Sequence, residues 1–174
     1  DIITDNPERL AEIKGISLSK AQQIGELFRA QVEIRTVVMF LQRYGVSIAN
    51  ALKIYKRYKS STIKVVEKNP YALADEVFGI GFTTADKIAA NMGIAPDSEY
   101  RIQSGVKYVL SLALNDGSVY LPIEVLLKHT ASLLEIPQEV IANLITKLHI
   151  ENQIFVERTE NAVRVYLNFS YYNE

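Results

Sequence analysis

The sequence predicts a mainly α fold: helix–tight turn–helix units in tandem, followed by a winged-helix-like α+β module. Three observations carry that prediction. Apolar residues recur at helical spacing in short runs broken by Gly or Asn-Pro. The phrase Asn6-Pro7-Glu8-Arg9-Leu10-Ala11-Glu12-Ile13-Lys14-Gly15-Ile16-Ser17 returns, slightly lengthened, as Asn69-Pro70-Tyr71-Ala72-Leu73-Ala74-Asp75-Glu76-Val77-Phe78-Gly79-Ile80-Gly81. Such an internal repeat marks a repeated structural unit. From about Asp97 the element order becomes helix, strand, helix, helix, strand, strand, which is that of a winged helix. The expected domains are therefore 1–96, holding the tandem helical units, and 97–174, the winged-helix-like module.

The elements follow in order. Asn6-Pro7 reads as an N-cap with proline at the first helical position, where its fixed φ and missing N–H fit. That short helix places Leu10 and Ile13 on one face and ends at Gly15. A second helix starts near Leu18 and carries Ala21, Ile24, Leu27 and Phe28. A third carries Ile34, Val37, Val38 and Leu41 and stops at Tyr44-Gly45. After Val46-Ser47, a weaker copy of the same turn, a fourth runs through Ile48, Ala51, Leu52 and Tyr55. Ser60-Ser61-Thr62 is expected to cap a short helix around Ile63–Val66. Beyond the second repeat, a helix from Ser98 to Leu114 ends at the turn Asn115-Asp116-Gly117. Val119-Tyr120-Leu121 reads as a strand, and Pro122 and Pro137 open helices to about Leu134 and Ile150. Ile154-Phe155-Val156 and Val163–Leu167 read as two strands around a polar turn at Thr159-Glu160-Asn161.

Composition excludes several classes of function. The chain has 174 residues and no cysteine, so it can form no disulfide, thiolate metal site or cysteine nucleophile. No apolar run approaches the roughly 18 to 20 residues of a membrane helix, so no membrane partner is expected. The start, Asp1-Ile2-Ile3-Thr4, has neither a basic n-region nor an initiator methionine. No signal peptide is expected, and the chain is expected to begin inside a longer, cytoplasmic protein. The formal net charge is −1, but residues 1–68 carry 12 Lys/Arg against 7 Asp/Glu, and residues 69–174 carry 7 against 13. From Lys53 to Lys68 the cations are Lys53, Lys56, Arg57, Lys59, Lys64 and Lys68, against Glu67 alone. This asymmetry fits one part meeting a polyanion, or two solvated helix faces of unequal charge.

Gly79-Ile80-Gly81 is the most informative local signal. Glycines at both ends let the backbone bend sharply and approach another surface. The amides of the turn and of the next helix start lack intrahelical partners, and a helix N-terminus with its dipole suits phosphate. Thr83 is the expected N-cap, with Asp86 making a near capping box. The alternative is a plain connection between two helices. Tyr44, Tyr55 and Tyr58, set among Arg43, Lys56 and Arg57, suit either base stacking or packing between helices. His129 and His149 lie on helices without a carboxylate at metal-ligand spacing, so neither a metal site nor a catalytic residue is expected.

Leu73 through Ala89, with Val77-Phe78-Gly79-Ile80-Gly81-Phe82-Thr83-Thr84-Ala85-Asp86-Lys87-Ile88-Ala89 at its centre, resembles a helix-hairpin-helix motif. Asn69-Pro70-Tyr71, the spacing to Phe78–Phe82 and Thr84–Ala89 together resemble the RecD-like (RecD/TraA family, exodeoxyribonuclease V alpha-subunit-like) ATP-dependent DNA helicases. So do Arg43-Tyr44-Gly45, Ile54-Tyr55-Lys56-Arg57-Tyr58, Tyr120-Leu121-Pro122 and Val165-Tyr166-Leu167. The likeness covers nearly the whole chain and places it between that family's N-terminal domain and its motor. It implies DNA binding without sequence reading, in repair and recombination. The implied contacts are Gly79, Ile80, Gly81, Thr83, Thr84 and Lys87 at one hairpin, Lys14, Gly15, Ser17 and Lys20 at another, and Lys53, Lys56, Arg57 and Lys59 as charge. Two departures stand out. Lys14 occupies a position usually apolar or proline, and Ser17 replaces the second glycine; the turn at Gly45 also lacks one. The best hairpin lies in the acidic half, beside Asp75, Glu76 and Asp86, whose charges would oppose a phosphate unless they point away.

No Gly-x-x-x-x-Gly-Lys-Ser/Thr loop is present, so no cofactor is expected in this chain; the resemblance implies ATP and Mg for the parent motor. The expected partners are single-stranded or forked DNA, the motor of the same polypeptide, and other repair proteins. The helix from Pro137 to Ile150 and the wing are neutral to acidic, which suits a protein contact better than DNA reading. The alternative function is a scaffold that positions the motor or a repair partner without binding DNA. A helix-hairpin-helix segment of a nuclease or ligase fits the hairpins but not the winged-helix-like tail.

Overall fold

The structure is a computed structural model that describes residues 5–13 and 15–168. It is mainly helical, with one small antiparallel sheet. The chain divides into two compact units, Asp1–Lys68 and Asn69–Glu174. That division falls where the charge changes sign, at 68/69, rather than at the 96/97 boundary expected from sequence.

The first unit begins with a 3-10 turn, Pro7–Glu12, whose Pro7 is buried. Asn6 stands at its N-cap position but makes no side-chain cap. Then come α1 (Leu18–Arg43), α2 (Ile48–Tyr58), a 3-10 turn (Lys59–Ser61) and α3 (Thr62–Lys68). The two helices expected between Leu18 and Leu41 are one continuous helix. Nothing between them breaks it: Arg29-Ala30-Gln31-Val32-Glu33 contains no Gly or Pro and four strong helix formers. The expected cap at Ser60-Ser61-Thr62 is absent too. The Thr62 hydroxyl donates back to the Lys59 carbonyl at 2.7 Å, closing the 3-10 turn instead. Ala21, Val37, Leu41, Val46, Ala51, Ile54 and Val66 form the buried side of this unit. The Tyr55 hydroxyl, donating to Glu33 at 2.7 Å, ties α2 to α1.

The second unit holds α4 (Ala72–Glu76), α5 (Phe82–Asn91), α6 (Glu99–Asn115), β1 (Leu121–Pro122), α7 (Ile123–Leu134), α8 (Gln138–Ile150), β2 (Ile154–Arg158) and β3 (Val163–Leu167). The sheet order is β1-β3-β2, all antiparallel, with Leu121 opposite Val165 and Phe155 opposite Tyr166. Alternation sends Val165 and Leu167 inward and leaves Phe155 outside. One core joins α5 to the sheet: Phe82, Ala85 and Ala89 pack in the same cluster as Ile102, Leu126, Ile141 and Val165. Tyr71, Phe82 and Tyr108 stack in a row, with centroids 6.0 and 5.3 Å apart. This shared core is why residues 69–96 belong with the tail. Helices α6 and α7 approach closely at Gly105, where a Cβ would meet the Leu134 side chain at 2.9 Å.

Candidate nucleic-acid interface

Three turns in the chain are built alike. Each has a glycine at positive φ: Gly15 at +97°, Gly45 at +85° and Gly79 at +87°. A left-handed residue there favours glycine because it has no Cβ to clash. Two residues on is the N-cap of the next helix: Ser17, Ser47 and Gly81. Four residues after each cap is an alanine, Ala21, Ala51 or Ala85, whose N–H donates to the cap carbonyl at 2.9, 2.8 and 3.1 Å. All three alanines are fully buried, so each helix start sits tight against its own unit.

The three differ at the cap. Ser17 Oγ accepts from the Lys20 N–H and Ser47 Oγ from the Asn50 N–H, both at 3.2 Å. Those serines fill one of the donor positions that a helix start leaves open. Gly81 has no side chain with which to do so, and α5 has no side-chain cap. The amides of Phe82, Thr83 and Thr84 precede the first helical hydrogen bond, from Ala85 to Gly81. They form an open end with the positive pole of the α5 dipole behind it. Thr83 is thus not the N-cap that its sequence context suggests. The helix begins earlier, at Phe82, because the Phe82 ring is drawn into the core.

The other expected contact residues sort by where they lie. Gly79 and Gly81 are exposed, Thr83 and Lys87 are exposed one helical turn apart, and Thr84 is half-buried. Ile80 is only 3% exposed, and its N–H donates to the Val77 carbonyl at 3.2 Å. It is an anchor of the turn, and neither its side chain nor its amide faces outward. In the first unit, Gly15, Ser17 and Lys20 share one turn, with the Ser17 oxygen engaged in its cap. Lys14 lies outside the described residues. Lys53, Lys56 and Arg57 are exposed at i, i+3 and i+4 of α2, opposite buried Ala51 and Ile54. Lys59 sits at φ +52° with its ammonium 5.5 Å from the Tyr55 ring centre.

Two of the carboxylates near the open turn, Asp86 and Asp75, are held by cations. Asp86 accepts from Arg101 Nε at 2.9 Å and Nη2 at 3.3 Å, and from the Tyr71 hydroxyl at 2.6 Å. Arg101 Nη1 also donates to the carbonyls of Pro96 and Leu134, both at 2.8 Å. Burial, then the Asp86 hydrogen bond, pushes the Tyr71 hydroxyl well above the ordinary tyrosine range. The same carboxylate raises Arg101. Asp75 accepts from Lys107 at 3.0 Å, and Lys107 is only 4% exposed. A cleft of about 530 Å³ beside Gly81 is lined by both members of that pair and by Phe82 and Ser104.

Other candidate groups have structural work. Tyr44 packs edge-on against Phe40 at 5.2 Å, and Tyr55 is tied to Glu33. His149 Nδ1 accepts from the Val156 N–H at 3.1 Å. Among the described residues no three His, Asp or Glu side chains are grouped to hold a metal, and no helix is long and apolar enough to cross a membrane. Phe78, just past the end of α4, is 98% exposed beside Gly79, which its apolar character does not suggest. It occupies the place before the turn glycine that Tyr44 holds at Gly45.

Part of the sequence is shared with known proteins. Residues 30–120, about half of the chain, match a helix-hairpin-helix domain, the one described as "ATP-dependent RecD2 DNA helicase HHH domain". An ATP-dependent RecD2 DNA helicase of Deinococcus radiodurans is 31% identical over 123 residues, which is 70% of this chain and 17% of that protein. The chain therefore spans about a sixth of the length of that relative. It belongs to the RecD2 helicase HHH-domain family.

Proposed function

We propose that this chain is a DNA-binding accessory region of a RecD-like ATP-dependent helicase, one that grips the phosphate backbone without reading sequence. The observation that carries this reading is the uncapped start of α5 at Gly81. Three amides and a helix dipole there suit a phosphate, and Lys87 lies one turn behind Thr83. With Asp86 and Asp75 each engaged by a cation, two of the carboxylates beside that turn are compensated against an approaching phosphate. The exposed cations of α2 add a sequence-independent attraction. The units at Gly15, Gly45 and Gly79 are read as tandem hairpins. The tail from 97 onward is read as a winged-helix-like module that contacts protein, since Lys147 pairs with Glu99 at 2.6 Å and Arg164 with Glu157 at 3.9 Å. ATP and magnesium belong to a motor elsewhere in the polypeptide, and the setting is cytoplasmic DNA repair.

Titration of labelled single-stranded and forked DNA at several salt concentrations tests this. Three or four neutralised phosphates give a log K against log salt slope of about −2.5 to −3.5. Absence of binding at low salt overturns the reading. A scaffold reading is favoured by one observation, the self-capped turns at Ser17 and Ser47, where one amide of each helix start is already engaged. Replacing Lys53, Lys56 and Arg57 by Glu separates the two. Unchanged DNA affinity with reduced binding of the motor supports the scaffold.

A further inference from the structure

Phe78 is the most exposed large apolar side chain among the described residues, and it adjoins the open turn. At 98% exposure it makes almost no use of a ring that would be stabilised by leaving water. Tyr44, at the same place before its own turn glycine, is by contrast half-buried against Phe40. Phe78 is followed by Gly79 at φ +87°, and Ile80 is fixed in the core, so the backbone holding the ring is anchored on one side. Consecutive Cα atoms lie about 3.8 Å apart, which keeps Phe78 within about 11 Å of chain from Gly81 and its neighbouring amides. The ring and those amides therefore lie close enough along the chain for one strand to meet both.

We propose that Phe78 stacks on an unpaired base of a strand whose phosphate is held at the start of α5. The inference rests on the phosphate-binding reading above and adds a base contact to it, one that only a strand with unpaired bases can make. Aromatic stacking tolerates any base, because every base has a π face, so it agrees with binding that ignores sequence.

The chain contains no tryptophan, so Phe78→Trp supplies a single indole at the site. The probes are a labelled oligothymidylate and an abasic strand of equal length. Expected results are quenching of the Phe78→Trp emission by oligothymidylate but not by the abasic strand, and an affinity loss of about fivefold or more for oligothymidylate in Phe78→Ala, with abasic binding unchanged. Thermal unfolding of Phe78→Ala should match wild type, because the ring is almost wholly exposed. Oligothymidylate bound equally by wild type and Phe78→Ala, with no quenching, overturns the stacking while leaving the phosphate reading intact. Failure of wild type to bind either strand overturns both. Phe78→Ala that binds DNA normally but loses the separately produced motor would assign the ring to a protein contact and also overturn the proposal.

Discussion

Gly81 is the position where stability and DNA affinity should move in opposite directions. It has extended backbone, φ −98° and ψ −179°, which any residue adopts, and a Cβ built there meets nothing within 4 Å. Gly81→Ser should reproduce the cap seen at Ser17 and Ser47, with its hydroxyl accepting from the Thr84 N–H. Serine exceeds glycine at an N-cap by a few tenths of a kcal/mol, so the melting temperature should rise by about 1 to 3 °C. A phosphate must then displace that hydroxyl, which weakens DNA binding by about 0.5 kcal/mol, or about twofold. Gly81→Asp sharpens the contrast. Its carboxylate caps as well as serine and gains from the helix dipole by about 0.3 to 1 kcal/mol. Against a phosphate about 4 Å away it costs between about 1 kcal/mol in a water-like medium and about 4 kcal/mol near a protein surface. Affinity should therefore fall by about fivefold or more while stability rises. Anisotropy titration and thermal unfolding on the same samples decide it. Both variants binding as tightly as Gly81 would refute the open helix end as the phosphate site; weaker binding with a lowered melting temperature would mean misfolding instead.

Three further outcomes are expected. Removing Asp75 with Asp75→Ala leaves Lys107 buried without its carboxylate and should destabilise by about 3 kcal/mol, whereas Lys107→Met should cost little; chemical denaturation compares them. The raised Tyr71 hydroxyl fixes the sign of an alkaline effect: the unfolded tyrosine loses its proton above about pH 10 while the folded one keeps it, so the stabilisation is complete below that pH and is lost above it. Tyr71→Phe should be about 1 kcal/mol less stable at neutral pH, with the gap to wild type closing above about pH 10. Gly105→Val should overpack the α6–α7 contact by about 1 to 3 kcal/mol, read as a lowered denaturation midpoint.

Much of the fold was legible because its signals are local. Glycine, a hydrophobe, a cap and an alanine four residues on recur at Gly15, Gly45 and Gly79, and all three form the same turn. The late strands and the helices opened by Pro122 and Pro137 also followed from punctuation. The unit boundary was not legible, because it depends on where Phe82, Ala85 and Ala89 bury themselves, and burial partners are distant in sequence. Within the candidate site, Gly81 and Lys87, both expected from the motif, are exposed. Ile80 and Ser17 have the expected type and spacing, but the core packing of one and the cap hydrogen bond of the other, which hold their turns together, could not be read from type and spacing. Asp86 looked like an obstacle in the sequence, but Arg101, from another helix, holds it.

The two proposed sources of attraction, one in each unit, have different physical signatures, which makes them separable in one assay. Amide contacts at α5 act over hydrogen-bond distance and carry no net charge with which to release cations condensed on the DNA. The α2 lysines act by releasing counterions, and their field is screened within about 8 Å at physiological ionic strength. A plot of log K against log salt should therefore respond differently to the two kinds of change. Gly81→Ser should shift the line down in parallel, because the neutral hydroxyl alters no charge. Lys53→Glu with Lys56→Glu and Arg57→Glu should flatten it, by about one in slope for each phosphate that is no longer neutralised. Combining both sets should give a line that is lower and flatter, with the effects additive unless the two regions grip the same phosphates. A flattened slope from Gly81→Ser alone would refute the reading of that turn as an uncharged contact.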